Sequence, residues 1–171
     1  MAEKKYDMRQ RKIGDQAQAI VEFAIVLPIL LLIVVGIFEV GRYLFIYSAV
    51  TNASRNAVRY ASAVGLNDDG YTKYNYCEGI KKTAQDAAFL ISLTDVDIFY
   101  DDGSGNPLAD NECDVWNATL VDTGVVVSSG DRVTVTVTAD YKPVLNLIPV
   151  TARTITSTSS RTILGVFDLV P

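Results

Sequence analysis

The sequence contains no histidine. The usual base for a serine or cysteine nucleophile is therefore missing, and with two cysteines in the whole chain a zinc site lacks ligands. No glycine-rich phosphate loop, dinucleotide fingerprint or metal-ligand cluster replaces them. Charge is missing as well, over one long stretch: between Ala19 and Phe38 the only ionisable side chain is Glu22. At about 1.5 Å per residue, a helix of that length spans roughly 30 Å, the thickness of a hydrocarbon core. A buried helix of a soluble domain seldom runs so far without a polar face, so the stretch reads as a membrane span. What remains for catalysis is carboxylate pairs, Asp95 with Asp97 or Asp101 with Asp102. Surface turn acids explain them more simply, and the chain reads as a non-enzyme.

The charge that is present is split. Residues 1–17 carry Lys4, Lys5, Arg9, Arg11 and Lys12 against Glu3, Asp7 and Asp15, whereas the remainder has a net charge of −7. Basic residues just before a single apolar span predict a cytoplasmic N-terminus and an exported C-terminal part. An acidic exported part gives no electrostatic reason to expect nucleic-acid binding. The apolar run is longer than a signal-peptide core, and no small-x-small cleavage motif follows it closely, so it is expected to stay attached. Cys77 and Cys113 both fall in the exported part, where an isolated pair most often forms a disulfide. Two buried free thiols are the alternative.

Three regions follow. Residues 1–17 form a basic cytoplasmic leader. Residues 18–64 form one long helix, transmembrane at about 19–38 and amphipathic from 39 to 64. In its second half Val50, Ala53, Ala57, Ala61 and Val64 make one apolar stripe, and Thr51, Asn52, Arg55, Asn56 and Arg59 fall on the other side. Pro28 should kink the first half, with Gly36 and Gly41 loosening it further. Residues 65–171 form an exported α+β domain. Its second helix is expected from about Glu78 to Ile91, with Ile80, Ala84, Ala87 and Ile91 on one face. Period-two alternation marks strands at "DVDIFYDD" and most clearly at "DRVTVTVTADY", where Val133, Val135 and Val137 should turn toward the helix. One strand, or two short ones, is expected in "VWNATLVDTGVVV", and a last one in "TARTITSTSSRTIL". The fold class is α+β: a long N-terminal helix packed on a small antiparallel sheet, in the outline of a lollipop.

"DDGSGNP" is turn chemistry. Its oxygen-rich Asp101, Asp102 and Asn106 make a loose calcium candidate, without the spacing of an EF-hand loop. Asn52-Ala53-Ser54 and Asn117-Ala118-Thr119 fit the N-glycosylation triplet, which matters only in a host that glycosylates exported proteins.

The N-terminal third resembles type IV pilins and pseudopilins, and most closely the TadE-like proteins of tight-adherence (Tad) pilus systems. The matching residues are Gln18, Ala19, Ile20, Val21, Glu22, Phe23 and Ala24, then Leu27 and Pro28. Further on, Glu39-Val40-Gly41-Arg42 and the stretch around Thr51, Asn52, Ala53, Arg55, Arg59, Tyr60 and Ala61 match as well. The resemblance implies a structural subunit that assembles into a filament for adhesion or secretion, with no cofactor. A membrane-anchored binding module or adhesin outside any filament is the alternative. It also implies a prepilin peptidase, pilus assembly machinery and other pilin subunits as partners, and the cell surface or pilus as the final location. Cleavage would fall between Ala17 and Gln18, which places Glu22 fifth in the mature chain; a cut between Gly14 and Asp15 is the alternative. Glu22, Phe23 and Pro28 would then be assembly residues. In particular, Glu22 would pair with the new α-amine on Gln18, its own or a neighbouring subunit's.

Overall fold

The computed structural model describes residues 3–68, 70, 72–112, 127–144 and 152–164, with the backbone alone at 3–16 and 109–112. The chain divides into two units, Met1–Arg42 and Tyr43–Pro171. One helix, α1 (Glu3–Ala61), makes up the described part of the first unit and opens the second.

In the first unit α1 begins at Glu3, well ahead of the expected start near Ala19. Glu, Lys, Arg, Gln and Ala are strong helix formers, and from Lys4 to Gln18 they outnumber the weak formers Asp7, Gly14 and Asp15. Large apolar side chains then point outward all round the helix: Ile20, Phe23, Leu30, Leu31, Ile33 and Phe38 are each more than half exposed. Pro28 lies inside the helix, where it removes one backbone donor. A Cβ added at Gly36 or Gly41 would meet open space, so neither glycine is required by close packing.

The second unit takes α1 from Tyr43 onward and adds α2 (Cys77–Ala87), β1 (Asp95–Asp101), β2 (Pro107–Glu112), β3 (Arg132–Tyr141) and β4 (Arg153–Thr162). The strands form one antiparallel sheet in the order β2-β1-β3-β4. β1 and β3 hold the two inner places, and β3 shows the cleanest alternation. Val133, Val135, Val137, Ala139 and Tyr141 are all buried, while Thr134, Thr136 and Thr138 sit on the outer face. β1 presents Val96, Ile98 and Tyr100 beside Val137, Val135 and Val133, extending the same apolar face. Val50, Ala53, Ala57, Val58 and Ala61 of α1, with Ile80 and Ala84 of α2, complete the core. At about 25 cal/mol per Å² of apolar area removed from water, this shared face is the main stabilising term of the unit. The architecture is α+β, a helix packed on a small antiparallel sheet.

On the outer face the threonines pair across strands. Thr134 lies 2.8 Å from Ser160, Thr136 lies 3.0 Å from Thr158, and Thr138 lies 3.4 Å from Thr156, hydroxyl to hydroxyl. Such cross-strand pairs each contribute a fraction of a kcal/mol, about 0.2 to 1.

Two helix ends and one strand differ further from the sequence reading. α1 ends at Ala61, leaving Val64 exposed, and α2 stops at Ala87. Ile91 is only half-buried, in a turn where its N–H bonds the Ala88 carbonyl. β2 was not expected at all. It opens on Pro107 at the edge of the sheet, the place where a strand tolerates proline and charge. Of the strand region expected at 115–127, all but Val127 lies outside the described residues.

Candidate functional site

The sequence points to the apolar part of α1. Ala17 to Ala61 is long and apolar enough to cross a membrane, with a peak mean hydropathy of 3.0, and none of that window is buried within the protein. Glu22 sits one turn after Gln18, on the same helix face. The Gln18 amide Nε2 donates to Glu22 Oε1 at 3.1 Å. An i, i+4 pair of this kind stabilises a helix by only about 0.2 to 0.5 kcal/mol, yet it gives the carboxylate a local partner on Gln18, the residue singled out from sequence. Phe23 is exposed, and Pro28 follows Glu22 after less than two turns of helix. The Ala17–Gln18 and Gly14–Asp15 bonds both lie within α1.

A second carboxylate marks the far end of the apolar run. Glu39 is 7 % exposed, although its neighbours Phe38 and Val40 are open. Burial of a carboxylate is costly unless it is hydrogen-bonded or paired. In the sequence, Glu39 stands out only as part of the Glu39-Val40-Gly41-Arg42 motif.

In the second unit the contact between α1 and the sheet has a polar centre that periodicity did not reveal. Ser54 is fully buried within the apolar stripe. Its Oγ donates to the Thr51 carbonyl at 3.0 Å and lies 3.1 and 3.0 Å from the Ser157 and Ser159 hydroxyls on β4. A hydroxyl has one proton and two lone pairs. With the proton on Thr51, both β4 serines donate to Ser54. This same serine closes the Asn52-Ala53-Ser54 triplet, so its hydroxyl is not accessible for recognition. The triplet at Asn117 lies outside the described residues.

The calcium candidates are placed by their own turn. Asp101 is buried on β1, where its Oδ2 accepts from Arg132 Nε at 3.0 Å and its Oδ1 from the Gly103 N–H at 2.8 Å. Asp102 Oδ1 accepts from the backbone N–H groups of Ser104 and Asn106, and Oδ2 from Asn106 Nδ2. The Asn106 side chain and these N–H groups hold the Asp102 carboxyl below its ordinary range. Gly103, at φ +81°, brings this turn against the Gly130 carbonyl, 2.9 Å from where a Cβ would stand. Asp101 and Asp102 thus have protein partners within the turn and on β3. Among the described residues no group of three or more His, Cys, Asp or Glu side chains gathers.

Of the remaining carboxylate pair, Asp95 accepts from the N–H of Val96 on its own strand, and Asp97 projects from the exposed outer face. Tyr100 is enclosed in the core with its hydroxyl donating to the Tyr74 carbonyl, and burial raises its pKa. An open cleft between α1 and α2 is lined by Asn56, Arg59, Tyr60, Thr83, Asp86 and Ala87. Cys77 opens α2 and is half-buried, while Cys113, its expected partner, lies outside the described residues.

No curated protein and no solved structure gives a significant match to the chain. Over residues 17–59, which hold Gln18, Glu22, Phe23, Pro28 and Glu39, the sequence matches the family model of TadE-like proteins.

Proposed function

We propose that the chain is a structural pilin or pseudopilin of a Tad-type pilus, anchored by α1 with its N-terminus in the cytoplasm and residues 65–171 exported. Its work is assembly into a filament with other pilin subunits, not catalysis, and a prepilin peptidase cuts between Ala17 and Gln18. The observation that carries this reading is the apolar surface of residues 20–38, exposed on every side and interrupted near its start by Glu22 alone. Such a surface suits lipid first and the helices of neighbouring subunits afterwards. A carboxylate near the hydrocarbon core costs about 2.5 to 3.5 kcal/mol even on a lenient scale, and an unpaired charge inside a packed filament is costly too. Cleavage would free a cation on Gln18, one turn from Glu22, and pairing the two fixes the axial register as each subunit docks.

Glu22→Gln keeps the shape and removes the charge. The exported domain of this variant should fold normally while its incorporation into pili falls, read by comparing membrane and filament fractions. Normal incorporation, or filaments whose subunits still carry the leader, removes the assembly role of Glu22. We further propose that Cys77 pairs with Cys113, closing a loop worth about 3 to 4 kcal/mol by chain entropy. Alkylation without reductant should then label neither thiol, and labelling of both rules out the pair.

A further inference from the structure

The bond proposed for cleavage does not lie in a loop, where chains are usually nicked. α1 is unbroken from Glu3 to Ala61, and the Ala17–Gln18 peptide sits about four turns inside it. A peptidase acts on a bond that lies extended in its cleft, with the backbone N–H and C=O groups free to pair with the enzyme. In a helix those groups are already paired with one another, one turn away. An intact α1 therefore shields both candidate bonds, Ala17–Gln18 and Gly14–Asp15.

The two sides of the cut are held helical for different reasons. From Ala19 to Phe38 the chain is apolar apart from Glu22. In lipid every backbone donor and acceptor must be satisfied within the segment, so helix there is obligatory. Gln18 is tied to this side, its Nε2 donating to Glu22 Oε1 at 3.1 Å. Residues 3–17 hold eight charged residues and belong in water. A helix of only about fifteen residues is marginal there. Gly14 and Asp15, two of its weakest formers, stand side by side just ahead of the cut.

We propose that the leader helix is a gate on maturation, set by Gly14 and Asp15. It unwinds from Glu3 as far as Gln18, and this open form is what the peptidase accepts. Water then adds across the Ala17–Gln18 bond, its oxygen ending in the Ala17 carboxylate and a proton on the Gln18 amine. The obligatory helix from Ala19 onward stops the unwinding and confines the cut to the leader. Gly14 acts through the backbone and is a positioning residue. Helix and coil interconvert within about a microsecond, far faster than a peptidase turns over, so the processing rate follows the open population. The proposal rests on the prepilin reading above.

The test reconstitutes the full chain in bilayers with a prepilin peptidase that cuts its control substrate, and follows the mature N-terminus by mass spectrometry. Gly14→Ala should slow processing about fivefold, the equivalent of the roughly 1 kcal/mol by which glycine disfavours a helix. Gln10→Gly, one turn upstream, should speed processing severalfold. The double variant should return to the wild-type rate, and amide exchange across residues 10–17 should move in step without peptidase. A double variant as slow as Gly14→Ala shows that the enzyme reads position 14 itself, which overturns the gate and leaves the cleavage standing. Unchanged processing of Gly14→Ala does the same. A wild-type chain that stays uncut overturns the cleavage and the gate together.

Discussion

Residues 20–38 and residues 46–61 belong to the same helix, yet they are built from different side chains and meet different surroundings. The first stretch is Ile, Leu, Val and Phe on all sides, and nearly all of it is exposed. The second buries one face only, and from Ala53 onward that face is made mostly of small residues, Ala53, Ser54, Ala57 and Ala61, beside Ile46, Val50 and Val58. Small side chains let a helix backbone approach a sheet closely, and interiors packed at crystal-like density have no room for more. Large branched chains all round a helix suit a fluid apolar solvent that conforms to any shape. The difference teaches that burial inside this protein is marked by smallness along α1 more than by hydrophobicity.

That contrast can be broken by exchanging the two kinds of residue. Ala57→Leu should destabilise the second unit by about 1 to 3 kcal/mol, the usual cost of overpacking a filled core. Leu31→Ala, at a position 54 % exposed, should leave the unfolding midpoint of the full chain in micelles unchanged. Equal shifts from the two substitutions would erase the distinction. Ser54→Ala sharpens it within the second stretch. Losing the acceptor for Ser157 and Ser159 should cost about 1 kcal/mol, whereas Asn52→Ala on the exposed side should stay within about 0.5 kcal/mol.

The smallest effect concerns the loop of Asp102. Its carboxyl titrates lower in the folded chain than in the unfolded one, first because of Asn106. Its contribution is therefore complete above the unfolded value and is lost as pH falls through the lower folded value. Wild type and Asp102→Asn should differ in melting temperature at neutral pH and converge in strong acid. A gap that stays constant through the acid range would deny the carboxylate this role.

Val133, Val135 and Val137 were legible because period-two alternation admits only one buried face, and Val50, Ala53, Ala57 and Ala61 because a helical stripe does the same. Glu22 stood out as a charge inside an apolar run. β2 was illegible for a physical reason: "PLADNE" sits at a sheet edge, where side chains need no alternation and the pairing to β1 shifts register between Phe99 and Asp101. The early start of α1 was missed because the basic residues were read for their charge and not for their helix propensity. Ser54 could not have been found from its neighbours in sequence, since the hydroxyls that define its role lie 103 and 105 residues away.

That last separation has a consequence in time. β4 carries both serines, and β3 carries the valines that cover the stripe of α1. During synthesis the face of Val50, Ala53 and Ala57 therefore waits bare at least until β3, roughly eighty residues further on, has been made. A face exposed for so long is open to the wrong partners, because late, long-range pairing leaves apolar surface unprotected. Until Ile163 seals the core, the safety of the newborn subunit depends on whatever covers that stripe.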